Sequence, residues 1–174
     1  MERSKRNFLS MVAAVGVVAL PRVGLAQKAK NAPGVTDSEI KIGETLPLRG
    51  PAASYSAMGG AARAYFEMIN DQGGINGRKL NLIQLDDAYS PPKTMEQMRK
   101  LVDQEKVAFI VAQVGTPTSV VVRKYLNDRK VPQLFVGSGA ATWADDIEKF
   151  PWSLGWQPLY NDEGREVAKH MLAA

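Results

Sequence analysis

The chain has 174 residues, with 22 Lys and Arg against 18 Asp and Glu, a single His and no Cys. That length suits one domain of ordinary size or a piece of a larger protein, and the absence of Cys rules out disulfides, thiolate metal sites and thiol nucleophiles. Four of the 22 basic residues and one of the 18 acidic ones fall within residues 1–26, so the remainder carries 18 against 17, a formal net of +1, which removes the basic excess that nucleic acid as a partner would require.

Residues 1–26 read as an export signal. Arg3, Lys5 and Arg6 form a positive front, Met11 to Leu20 an apolar run, and Gly24-Leu25-Ala26 a small-x-small cleavage pattern, with cleavage expected before Gln27. The apolar run, closed by Pro21, is too short for the roughly 20 residues that cross a bilayer. Ser4-Lys5-Arg6-Asn7-Phe8-Leu9 looks like a twin-arginine export motif with Lys in the first Arg position, which leaves the export route open. No Cys follows the run to carry a lipid anchor. An exported chain without Cys fits a bacterial periplasm, and residues 27–37 read as a flexible leader.

From there extended and helical patterns alternate. Ile40 to Leu46 reads as a strand, and Ala57 to Gln72 as a helix whose inner face carries Met58, Ala62, Tyr65 and Ile69. Gly73-Gly74 ends that helix. Lys79 to Leu85 is a second strand, and Pro92 to Gln104 a second helix with Met95, Met98, Leu101 and Val102 inside. Val107 to Ala112 is an apolar strand without alternation, the kind buried on both faces. A third helix over Pro117 to Arg129, a fourth strand over Pro132 to Val136, a loop to Phe150, a fifth strand over Trp152 to Trp156 and a last helix from Glu163 complete the pattern. This is the βαβ signature, so the fold class is α/β, a parallel sheet with helices on both faces. The last helix reaches Ala174 in phase and without a C-cap, so the chain reads as cut short.

In such sheets ligands bind beyond the carboxyl ends of the strands, at helix N-termini. That rule nominates the loops at 47–56, 86–92, 113–118 and 137–143. Thr116, before Pro117, stands where an N-cap would; its hydroxyl either caps its own helix or, with the next free amides, holds a carboxylate. Gly137-Ser138-Gly139-Ala140-Ala141-Thr142 begins like a dinucleotide fingerprint but has Thr where the last Gly or Ala belongs and lies after the wrong strand, so no cofactor is expected there. Asp86 and Asp87 lack the further carboxylates or imidazoles that a metal site wants, and neighbouring strand residues point to opposite sides. One is expected to cap the adjoining loop or helix and the other to line the cleft. His170 is read as a solvent-facing helix residue, and Trp143, Trp152 and Trp156 as core. Tyr55 sits in a loop that gives it no core to fill. None of these groups forms a nucleophile-base-orienter set, so no enzyme activity is expected.

Ile40-Lys41-Ile42-Gly43, Pro47-Leu48-Arg49-Gly50-Pro51-Ala52, Ile69 to Lys79 and Asp86-Asp87, then Gly115-Thr116-Pro117-Thr118, Val131 to Val136 and Ser138-Gly139-Ala140, closely resemble the type I periplasmic substrate-binding proteins of the branched-chain amino acid (Leu/Ile/Val) transporter family. The resemblance spans roughly residues 38 to 172. It implies a two-lobed receptor about twice this length that closes on a small-molecule ligand and hands it to the membrane permease of an ABC importer. On that implication residues 38–158 are the first ligand-binding lobe and 159–174 the crossover into the second. It further implies that the ligand carboxylate is held at Thr116, at Ser138, Gly139 and Ala140, and by the aromatic residue Tyr55. Arg49 stands where that family usually has a small or hydroxyl residue, and Gly139 and Ala140 replace a hydroxyl residue often found near that position. The ligand expected is a small, largely apolar carboxylate, either a hydrophobic amino acid or an aromatic acid. The alternatives are the ligand-sensing lobe of a signalling receptor and, from another class, a nucleotide-using α/β enzyme, for which neither phosphate loop nor catalytic set is present.

Overall fold

A strand that is apolar on both sides calls for cover on both sheet faces, and the chain puts helices on both by reversing direction after its second strand. The computed structural model describes residues 31–173; the export signal expected over 1–26 and residues 27–30 of the leader lie outside the described residues. Five parallel strands, β1 (Glu39–Leu46), β2 (Lys79–Asp86), β3 (Phe109–Val111), β4 (Gln133–Val136) and β5 (Ser153–Gly155), form one sheet in the order β2-β1-β3-β4-β5. Helices α1 (Ser56–Asp71), α2 (Pro91–Arg99), α3 (Thr116–Asp128), α4 (Thr142–Asp145) and α5 (Tyr160–Ala173) complete it. With right-handed crossovers, stepping outward from β1 to β2 and then back past β1 to β3 puts α1 on one face and α2 and α3 on the other.

On the α2/α3 face the core is closed. Met98 and Leu101 meet Val107, Ile110, Val122 and Leu126, with Ile83 and Leu85 of β2 packed against them. On the α1 face, Ile42, Leu82 and Val111 are buried under Ala62 and Phe66. The inner face of α1 differs from the expected one: Tyr65 is 57% exposed, Phe66 packs in its stead, and the fully buried residue is Gly59, where an added Cβ would meet Gln84 Nε2 at 2.7 Å. Beyond α1 this face is open. A groove of about 680 Å³ runs over Ile40, Phe109, Val111 and Leu134 to Phe135 and Trp156, of which the last two are 50% and 58% exposed.

A carboxylate is buried under α1. Glu44 is fully buried on β1; its Oε2 accepts from Gln84 Nε2 at 2.7 Å while Oε1 has no partner among the described residues. Gln84 also donates to the Gly59 carbonyl at 2.8 Å and accepts from Arg63. Burial outweighs these contacts and pushes the Glu44 carboxyl up to about 7.

Several boundaries differ from the expected ones for local reasons. The leader is held from Ala32 onward: Val35 donates to the Ala32 carbonyl, and Gly34, at φ +72, accepts from the Lys41 amide and leaves no room for a side chain against Ala108. The second helix is α-helical only to Arg99 and widens to a π turn over Lys100–Gln104, in which Leu101 and Val102 are both buried. β3 is shorter than expected because Val107 turns its amide back to the Leu101 carbonyl at one end, and Ala112 at the other sits at φ +50 while still donating to Leu134. The segment expected as loop holds α4. Trp143 on α4 is core at 4% exposure, whereas Trp152 and Trp156 are exposed. The last helix starts at Tyr160 rather than Glu163, and its residues, His170 included, are exposed.

The Gly73-Gly74 exit and the Asn76-Gly77 turn behave as their chemistry dictates. Both glycines have positive φ, Gly74 donates to the Ile69 carbonyl, and Ile75 and Arg78 exchange backbone hydrogen bonds of 2.8 and 3.0 Å around Asn76 (φ +50) and Gly77 (φ +76).

Candidate functional site

Strand order reverses between β1 and β3, so the crevice lies beyond their carboxyl ends. Three loops converge there, at 47–55, 112–115 and 137–141. They enclose a cavity of about 240 Å³ whose walls include Tyr55, Tyr89, Gly115, Gly137, Gln157 and Tyr160.

The loop after β3 is shaped by Gly115, which is the N-cap residue of α3 at φ +95 and ψ 147. Thr116 is therefore the first helical residue and not the cap. Its hydroxyl lies 2.6 Å from the Ser138 hydroxyl, tying the β3 and β4 loops together. Ser138 is 1% exposed and also accepts from the Ala140 amide at 3.2 Å. The Gly139 carbonyl accepts from the Tyr160 amide at 2.8 Å. Of the five residues singled out from the sequence, Tyr55 lines the cavity. Thr116 and Ser138 form a hydroxyl pair beside it, and Gly139 and Ala140 make the turn behind that pair. The amides of the first turn of α3 have no intrahelical acceptors, and its dipole favours an anion at this end.

A buried chain of amide side chains sets the position of α3. Gln113 Nε2 donates to Thr45 Oγ1 (3.0 Å), Gln133 Nε2 to Gln113 Oε1 (2.8 Å), Ser153 Oγ to Gln133 Oε1 (2.9 Å) and Asn127 Nδ2 to Ser153 Oγ (2.9 Å). Gln113 and Gln133 also donate to the Thr118 and Ser119 carbonyls of α3. The chain therefore stitches β1, β3, β4 and β5 to the helix, with every glutamine oxygen and nitrogen engaged.

The loop after β4 is braced from below by Arg123. Its side chain, 3% exposed, donates through Nη1 to the Thr142 carbonyl (2.9 Å) and hydroxyl (3.0 Å). Its guanidinium lies between the Trp143 and Phe150 rings, 4.6 and 4.4 Å from their centroids.

The capping of the adjoining loop expected of one aspartate is done by both, and neither carboxylate is free to line the cleft as expected of the other. Asp86 accepts from Lys93, from the Arg49 side chain and from the amides of Leu48 and Ala88. These contacts, led by Lys93, hold it well below the usual carboxylate range. Asp87 is fully buried and accepts from the Tyr89 amide at 2.9 Å and the Thr94 hydroxyl at 3.2 Å; burial pushes its carboxyl up. The two residues they hold, Ala88 and Tyr89, are both left-handed at φ +49 and +59. Such a conformation costs about 1–3 kcal/mol per non-glycine residue, and each is answered by a side-chain acceptor two residues back.

The residues that sequence reasoning missed are Tyr89, Gln157 and Tyr160. The signal for Tyr89 was present, since two Asx residues at a strand end fix the direction of the next few residues. Tyr160 and Gln157 carry no local signal, being brought in by β5. Among the described residues no three of His, Cys, Asp and Glu gather as metal ligands, and no helix is long and apolar enough to cross a membrane.

A pocket of phenols and an amide at the switch point, with a hydroxyl pair beside it, marks the class as an α/β lobe with a candidate ligand cleft. Comparison with known proteins gives the family. A family model described as periplasmic binding protein matches residues 39–174, and the chain belongs to that family, with its type I fold. It is 28% identical over 137 residues to an amino acid binding protein of Pseudomonas aeruginosa, covering 78% of this chain and 34% of that protein. It is 39% identical over 94 residues to the leucine-, isoleucine-, valine-, threonine- and alanine-binding protein of the same organism, covering 53% and 25%. A crystal structure of a possible leucine/isoleucine/valine-binding protein from Rhodopirellula baltica superposes with a TM-score of 0.71 at 26% identity, covering 83% of this chain and 38% of that one. The chain thus spans about a third of the length of such relatives.

Proposed function

We propose that this protein is a periplasmic solute receptor, exported and cleaved near Ala26, that delivers a small carboxylate-bearing, largely apolar ligand to the permease of an ABC importer. In this reading residues 38–158 are the first lobe, and the ligand is trapped by hinge closure against a second. The observation that carries it is the Thr116–Ser138 hydroxyl pair at the N-terminus of α3, next to a cavity of about 240 Å³ lined by their neighbours Gly115 and Gly137 at the strand-order reversal. That arrangement suits an anion of a few heavy atoms. The relatives named for amino acid binding support the ligand class, and the absence of a nucleophile-base pair among the described residues of the cavity wall supports binding without turnover.

Calorimetry on the full-length gene product with a panel of amino acids and aromatic acids tests this. A member of the panel binds, and Thr116→Val weakens it by about tenfold, as expected when a buried hydrogen-bonding group loses its partner. Unchanged affinity in that variant, or conversion of the ligand to a product, refutes the reading.

A further inference from the structure

The crossover helix α1 rests on a carboxyl group. Glu44 of β1 is fully buried, and α1 comes down beside it on Gly59, the one fully buried residue of the helix. The approach is as close as a backbone allows: an added Cβ on Gly59 would stand 2.3 Å from Leu46 Cδ1, 2.7 Å from Gln84 Nε2 and 3.4 Å from Glu44 Oε2. Gln84 of β2 joins the partners, donating to Glu44 Oε2 at 2.7 Å and to the Gly59 carbonyl at 2.8 Å and accepting from Arg63 of α1. A methyl group already has no room here, so water enters between helix and carboxyl only if one of them moves. Because Glu44 is already fully buried, a further segment of a longer protein reaches it only by displacing what covers it.

The same end of α1 builds the cleft. Tyr55, the residue before the helix, and Met58, next to Gly59, both line the 240 Å³ cavity, and Met58 reaches across to the loop after β4, where an added Cβ on Gly137 would stand 3.5 Å from its Cε. Around the carboxyl, α1 brings Arg63, engaged with Gln84, and the exposed Glu67 one turn on. β2 brings the neutral Gln84 and, at its end, Asp86, which Lys93 and Arg49 hold, and β3 brings the apolar Phe109 and Val111 to this face. Burial outweighs the hydrogen bond from Gln84 and the attraction of Arg63, so the carboxyl is pushed up to about 7 from an ordinary 4.5. An ionised Glu44 calls for water, and water enters only if α1 lifts.

We propose that Glu44 is a proton-operated latch on the first half of α1: while it is protonated the helix seats on β1 and β2 with Tyr55 and Met58 against the cavity, and when it is ionised that end of the helix lifts and the cleft wall loosens. A lifted helix returns Glu44 to the ordinary carboxylate range, so lifting releases a proton between about pH 4.5 and 7. The lifted state therefore gains up to about tenfold per pH unit across that window and levels off above it. The latch is independent of the receptor reading, since its state is read without a ligand.

The test is hydrogen exchange of the full-length gene product between about pH 5 and 8, each amide referred to its intrinsic chemical rate, with and without about 1 M urea, on the natural protein and on Glu44→Gln. The expected result is that protection of the amides at 60–66 falls at least about tenfold from pH 5 to 7 and then levels off, and that Glu44→Gln removes this dependence. Urea changes protection at 60–66 less than about twofold while lowering it about fivefold or more at 120–126 on α3, because lifting α1 exposes little surface and unfolding exposes much. Amides at 60–66 that share the protection and urea dependence of those at 120–126 open only by global unfolding; that result makes Glu44 a contributor to stability alone and overturns the latch. Protection at 60–66 that is flat with pH, or that falls in Glu44→Gln as it does in the natural protein, overturns it too. Should Glu44→Gln fail to fold, the contrast between α1 and α3 in the natural protein decides.

Discussion

The two faces of the sheet are built to different standards. Under α2 and α3 the apolar side chains close around Met98, Leu101, Ile110 and Leu126, and of the polar groups buried there Gln113 and Gln133 find partners for every atom, whereas Ser119 Oγ and Arg123 Nε and Nη2 find none among the described residues. Under α1 a carboxylate is buried with one oxygen unpaired, and the rest of the face lies open from Phe109 to Trp156. The difference arises from topology, because one crossover helix serves the β2-β1 side while two serve the other. The loops of the candidate site take their rigidity from the closed face: α3, the amide chain and Arg123 all belong to it.

The comparison can be broken most severely on the closed face. Leu126→Ala, with no exposure and a full set of neighbours, should cost about 3 kcal/mol, measured by urea unfolding of the 174-residue chain. On the open face the largest effect is a gain. Glu44 has an ordinary pKa of 4.5 when unfolded and about 7 when folded, so the folded state holds its proton longer. Its contribution is fully present below about pH 4.5 and is lost as pH rises to about 7, at a cost on the order of 3 kcal/mol. Glu44→Gln should therefore stabilise the protein above about pH 7, have little effect near pH 4, and flatten the slope of Tm against pH in between. A slope identical to that of the natural protein would mean that the carboxyl stays solvated.

A smaller effect sharpens the polar half of the contrast. Gln133→Leu removes the link between Gln113 and Ser153 and strands buried partners on both, at about 2 kcal/mol in the same unfolding measurement. The smallest comes from the exposed rim of the groove, where Phe135→Ser should change stability by less than about 0.5 kcal/mol. A large loss there would mean that Phe135 is covered in solution.

Most of the architecture was legible because it rests on local chemistry. Apolar runs of strand length, helical spacing and Gly or Pro punctuation placed all five strands and four of the helices to within a few residues. The misses share a cause. Tyr65 and Phe66 are neighbours on α1, and spacing alone favoured the one that points outward. α4 is too short for periodicity to report. Thr116 read as a cap because Pro117 comes next, yet Gly115 took the cap by turning left-handed, which freed the Thr116 hydroxyl to meet Ser138. The site was legible as a set of loops and not as a set of contacts. Thr116 and Ser138, 22 positions apart, were both named, but their 2.6 Å approach depends on the pairing of β3 with β4.

The sequence by itself determined the alternation of strands and helices and the turns at Gly73-Gly74 and Asn76-Gly77, since each of these depends on residues close together in the chain. Tertiary structure alone decided that Glu44 would be buried and its carboxyl pushed up, that two aspartates would serve to aim Tyr89, and that Tyr160 would arrive from the far side of β5. Burial, dielectric surroundings and convergence on a cleft are properties of the surfaces that meet, and those surfaces come from distant parts of the chain.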